Sequence, residues 1–74
     1  MSNKKIYRHY KAGQLYEFID IGLHTETNEE LVIYKSLYDH PKYGYGKLWL
    51  RPANMFFEEV FYNDEWQPRF KLIE

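Results

Sequence analysis

The chain has 74 residues, with ten Lys+Arg against eleven Asp+Glu and a formal net charge of −1. That length fits one small domain over residues 1–74, with 1–5 expected as a loose N-terminus. The balanced charge lacks the basic surplus of a dedicated duplex-DNA binder, and the absence of cysteine excludes disulfides, thiolate metal ligands and a thiol nucleophile.

Short β-like runs bounded by turn residues follow one another along the chain. Ile6–Tyr10 is the first, ended by Ala12-Gly13. Leu15–His24 begins by alternating, with Tyr16 and Phe18 on one face, and then Ile19, Ile21 and Leu23 take up the opposite phase. A phase change inside one strand predicts a β-bulge or sharp bend. Gly22 is expected where another group approaches the backbone closely. Thr25–Glu30 reads as the turn between two long strands, with Asn28 the residue best suited to a left-handed conformation. In Leu31–Tyr38, Val32, Tyr34 and Tyr38 share one face, and Leu31, Ile33 and Leu37 share the other. Both faces are apolar, which suits a strand covered on both sides or a barrel strand with an aromatic outer face.

Asp39–Gly46 is a loop by its Pro and Gly punctuation, and Lys47–Arg51 is a short strand stopped by Pro52. Residues 52–59 are the only helix-like piece, one or two turns opened by Pro52. Val60–Tyr62, a turn at Asn63-Asp64-Glu65 and Trp66–Ile73 form a terminal hairpin, whose last strand Pro68 pushes towards an edge or bulge. The fold class is therefore mainly β: a small, strongly bent sheet or SH3-like barrel of five to six short strands with one helical turn, the alternative being α+β.

Ordered motifs run through these elements. They are Tyr7-x-His9-Tyr10-Lys11-x-Gly13, Leu15-Tyr16-Glu17, His24-x-Glu26-Thr27, Tyr34-x-x-Leu37-Tyr38, Trp49-x-Arg51-Pro52-x-x-Met55-Phe56 and Pro68-Arg69-Phe70. Together they resemble the bacterial family labelled domain of unknown function 1653, over about residues 6–73. Asn28 stands where that family usually has Gly, and the loop over Asp39–Gly46 is longer. The resemblance implies a small, mostly β domain and no established activity, so it assigns no catalytic residue.

No catalytic signature emerges. Ser36 lies inside a strand without a nucleophile elbow, and the Gly44-x-Gly46 pair lacks the Lys-Ser/Thr of a phosphate loop. His9, His24 and His40 show no metal-binding spacing, so no metal site and no cofactor are expected. An apolar run of membrane-spanning length is absent, as is the apolar core of a signal peptide, and the cytoplasm is the expected location.

The residues that could carry recognition are Trp49, Arg51, His24, Tyr34, Glu17 and Arg69, each in or beside a predicted strand. Trp49 and Arg51 point to one face by their spacing of two. Arg presents a rigid donor fork to phosphate or carboxylate, and a neighbouring ring supplies a stacking surface. The first reading is a binding module for a nucleotide, a single-stranded nucleic acid or a peptide. A second is a small enzyme or accessory domain acting on a phosphorylated metabolite, with His24 or Glu17 as acid/base. A third is a structural unit that pools its aromatic surface as a homodimer. Against each stands a structural role: Arg51 stacked on a ring and paired with Glu17 or Glu58, and His24 capping the turn through Glu26 or Thr27.

Overall fold

The computed structural model describes residues 4–74, and Met1–Asn3 of the segment expected to be loose lie outside it. Lys5 already belongs to the first strand. The elements are β1 (Lys5–His9), β2 (Leu15–Leu23), β3 (Glu30–Ser36), β4 (Asp39–His40), β5 (Gly44–Tyr45), β6 (Leu48–Pro52), α1 (Ala53–Phe56), β7 (Glu59–Tyr62), β8 (Glu65–Pro68) and β9 (Phe70–Leu72). Five strands form one antiparallel sheet in the order β6-β3-β2-β1-β9, and the pairs β4-β5 and β7-β8 are separate ribbons. The main sheet is open, with β6 and β9 at its two edges. Of the two expected architectures, the bent sheet is the one found.

The phase change in β2 is a real irregularity. Phe18 pairs with Tyr34, the next partners are Asp20 and Ile33, and Ile19 is the extra residue. The bulge keeps Tyr16, Phe18 and Ile21 on one face although their spacing is uneven. Asn28 has φ +58°, the left-handed conformation expected of it. Gly22 does not fit its expectation, because a Cβ built there would meet Ile33 Cδ1 at 3.5 Å, an ordinary van der Waals distance.

The expected last strand is two strands. β8 ends at Pro68, the chain steps aside at Arg69, and β9 joins β1 in the main sheet through Tyr7–Leu72, Arg8–Lys71 and His9–Phe70. The step is held by two backbone bonds: Arg69 N–H to Glu58 O at 3.0 Å, and Tyr10 N–H to Arg69 O at 2.9 Å. Between β7 and β8 the loop residues Asn63 and Asp64 both have positive φ, +54° and +63°. This is the backbone of a type I′ hairpin turn, which favours Asn-Gly. Asp64→Gly should therefore raise stability by about 0.5 kcal/mol, read as a higher urea midpoint at unchanged slope.

Alternation gives the sheet two unlike faces. Tyr7, Tyr16, Phe18, Val32, Tyr34, Trp49, Arg51 and Phe70 share one face by register. Leu15, Glu17, Ile33, Lys35, Leu48 and Leu50 share the other. The aromatic face is the interior one. α1 crosses it and drops Phe56 onto Tyr7, Tyr34 and Phe70, and these four with Val32 make the buried core. The aliphatic face is the open one, where Leu48 and Leu50 are 51% and 61% exposed. Ser36 is the one fully buried polar side chain among the described residues. Its Oγ accepts the Lys47 N–H at 3.1 Å, which ties the end of β3 to the start of β6.

Candidate functional site

The aromatic face has an apolar floor and a rim of hydrogen-bond donors. Tyr16, Tyr34 and Phe70 form the floor, with ring centroids 5.3–5.6 Å apart and edge-to-face orientations. This geometry sets a positive ring edge against a negative ring face. Tyr38, one turn beyond β3, reaches back so that its hydroxyl lies 2.8 Å from that of Tyr16. Burial and this hydrogen bond push the Tyr16 hydroxyl well above the usual tyrosine range, so it stays protonated at any neutral pH.

Arg51, on the edge strand β6, and His9, on β1, approach the floor from opposite sides. The Arg51 guanidinium lies 5.8 Å from the centre of the Phe70 ring, and its Nε donates to the Tyr34 hydroxyl at 3.4 Å. No carboxylate lies within ion-pair distance of it among the described residues. His9 rests edge-on against the same Phe70 ring at 5.1 Å. Its Nδ1 accepts the Lys11 N–H at 3.3 Å, so the neutral ring carries its proton on Nε2 and presents a donor there. Burial, then the charges of Arg51, Arg69 and Lys11, hold the His9 imidazole below the usual histidine range.

That depression has a sign. The folded value lies below the unfolded one, so the contribution of His9 to stability is complete above about pH 6.5. It is lost as pH falls through that value towards the lower folded one, because the unfolded chain takes up the proton first. Urea melts of His9→Gln should show a flatter loss of stability between pH 7 and pH 5 than the parent chain, and parallel curves would contradict the assignment.

Arg69 sits at the step between β8 and β9. Its guanidinium pairs with Glu58 and lies over the Tyr10 ring at 6.0 Å. Its Nε is buried without a partner. Trp49 directly opposes Tyr34 in the β3–β6 register and packs against His40 and Tyr43 at 5.8 Å and 5.5 Å. Its indole Nε1 is also buried without a partner. Beside His9 a cleft of about 480 Å³ opens at the end of β1, lined by Arg8, His9, Tyr10, Gln67 and Lys71 among others. Arg8 and Lys71 oppose each other across the β1–β9 pair, and Glu65 lines the same cleft as the acidic counterpart to them.

Of the six residues singled out from the sequence, Trp49, Arg51 and Tyr34 come together on this face, and Arg69 lies at its margin. Glu17 does not join them. It sits between Tyr16 and Phe18, so the pleat turns it to the open face, where it pairs with Lys35 at 3.6 Å. His24 does not join them either. It follows β2, and its Nδ1 accepts the Glu26 N–H at 3.2 Å and lies 3.5 Å from the Glu26 carboxylate. His24 thus caps the β2–β3 turn, as one of its two sequence readings had it. Arg51 pairs with neither Glu17 nor Glu58, and Arg69 takes Glu58 instead. His9, Tyr16, Tyr38 and Phe70 lie on the same face and were not among the six. A signal for His9 does exist in the sequence: basic and aromatic residues interleave in the run Tyr7-Arg8-His9-Tyr10-Lys11.

No helix is long and apolar enough to cross a membrane among the described residues. No curated protein and no solved structure matches the chain. A family model described as protein of unknown function (DUF1653) matches residues 5–72, which takes in every strand from β1 to β9, and the protein belongs to that family.

Proposed function

We propose that the protein is a binding module for an anionic ligand with an aromatic body, of the nucleotide class, held at the half-buried rim of the aromatic face by Arg51, His9 and Trp49. One observation carries this reading: the face holds donors without acceptors. Trp49 Nε1 and Arg69 Nε are buried and unpaired among the described residues, and the terminal nitrogens of Arg51 meet no acceptor there. Buried donors are almost always satisfied, so these groups call for an acceptor that the chain does not supply, a water in the free protein and a ligand oxygen in the bound one. Phosphate oxygens suit the Arg fork, and a base suits the half-buried rings at the rim, Tyr16, Tyr38 and Trp49. Arg69 and Lys11, which with Arg51 lower the His9 pKa, add to the positive field that would draw the phosphate in.

The test is an NMR titration of the protein with nucleoside mono- and triphosphates and, separately, with inorganic phosphate. The Trp49 indole N–H should shift on nucleotide addition, while that of Trp66, exposed on the β7-β8 hairpin, should not. An anion beside His9 would cancel part of the surrounding cationic field, so the His9 pKa should rise on binding. By linkage the affinity should increase as pH falls through the titration range of His9. A chain whose Trp49 and His9 signals ignore all three ligands, and whose Arg51→Ala variant merely melts lower, has a structural face and not a binding one.

A further inference from the structure

We propose that β6 is a self-pairing edge: two copies of the chain join antiparallel through their β6 strands, in the register centred on Leu50, so that the two five-stranded sheets become continuous. This goes beyond the ligand reading and rests on different observations.

Among the described residues, β6 has β3 on one side and no strand on the other. No turn, loop or cap hydrogen bond engages Leu48–Arg51 among the described residues, so the outer row of N–H and C=O groups has no partner in the chain. Natural sheets blunt such edges with short strands, bulges or charge. The opposite edge follows that rule, since β9 is three residues long and carries Lys71 at its centre. β6 does not follow it. It is five residues long, pairs with β3 in unbroken register, and displays Leu48 and Leu50 on the open face next to Leu31 and Ile33. Its single proline stands at the very end.

The sequence of β6 selects the second copy as occupant. A two-fold axis perpendicular to the sheet keeps the two faces in common, so it must pass through a residue position. Centred on Leu50, it sets Leu50 against Leu50 of the second copy and Leu48 against Pro52. On the other face it sets Trp49 against Arg51, a ring beside a cation, and does so twice. Centred on Trp49 it would oppose Arg51 to Lys47, and centred on Arg51 it would oppose two arginines. Like charges directly opposite one another destabilise a strand pair, so the Leu50 register is the complementary one. It also sets Leu48 and Leu50 of the two copies side by side across the junction, so that each shields part of the other's exposed apolar surface.

Sedimentation velocity of the whole chain over a dilution series should show a dimer that dissociates on dilution. Leu50→Glu and Leu50→Lys each place like charges at the axis and should weaken it by about tenfold or more, with the fold intact by circular dichroism because Leu50 is exposed in the single chain. An equal mixture of the two variants should recover the dimer. Because the chain has no cysteine, Leu50→Cys supplies a single thiol that should cross-link the two copies on oxidation, whereas Leu48→Cys, facing Pro52, should not. A chain that is monomeric at every concentration overturns the proposal. So does a dimer that both charge variants leave unchanged, or a monomer whose β6 amides respond only to an added extended peptide.

Discussion

Phe56→Ala should remove most of the stability of this protein. The core is thin: Ile6, Tyr7, Val32, Tyr34, Phe56 and Phe70 are the buried apolar side chains among the described residues. Phe56 is fully buried and is the hub of that set. It stacks on Phe70 with centroids 4.3 Å apart and an interplanar angle of 7°, and it meets Tyr7 and Tyr34 at 5.3 Å and 5.2 Å. Truncating a buried Phe to Ala costs about 3–5 kcal/mol, because the cavity adds to the lost transfer energy. A domain of this length has about 4–11 kcal/mol in total. The melting temperature should therefore fall by at least about 12 °C. Phe57→Ala is the control. Its ring touches that of Phe56 but is half exposed, and its loss should cost much less. A Phe56→Ala chain that melts within a few degrees of the parent would show that the aromatic face is held by something other than α1.

The same ring explains where sequence reading stopped. Alternation in β3 and β6 separates aromatic from aliphatic side chains plainly, and the structure keeps that separation. It does not say which face is covered. The choice is made by α1, whose four residues are too short for a periodic pattern and whose single buried ring, Phe56, lands on the aromatic side. The bulge in β2 was legible because a phase slip shows in the side chains themselves. The split between β8 and β9 was only half legible. Pro68 marks the break, but the pairing of β9 with β1 joins the two ends of the chain, and no local pattern encodes a contact so distant in sequence.

The site divides along the same line. Trp49 and Arg51 share a face by their spacing alone, and Tyr34 joins them through the adjacent strand. Alternation also removes Glu17, because Tyr16 and Phe18 on either side of it must both face the rings. His9 is different. It reaches Arg51 only because β9 brings Phe70 beside β1, so its role depends on the least legible pairing in the fold. The three histidines, equivalent in sequence terms, share one local habit: Nδ1 of each accepts the backbone N–H two residues on, from Lys11, Glu26 and Lys42. What distinguishes His9 is its company of cations.

Arg51→Ala probes that company in two ways that separate binding from architecture. The first needs no ligand. Arg51 is one of the charges that lower the His9 pKa, so its removal should move the His9 titration up towards the usual histidine value, followed by NMR of the imidazole. In consequence the variant should lose less stability between pH 7 and pH 5, since the folded and unfolded values of His9 would lie closer together. An unmoved His9 would place Arg51 too far away to act on it. The second uses a nucleotide. A hydrogen bond to a charged group is worth about 1.5–3 kcal/mol, so losing the guanidinium should weaken binding by about 10- to 150-fold. Arg51→Lys keeps the charge and loses the fork, and should fall between the two. A purely structural Arg51 predicts a different order. Its guanidinium lies by the Phe70 ring, so Lys, which keeps a cation and a long stem there, would then preserve the melting temperature and Ala would lower it, with no change in affinity for either variant.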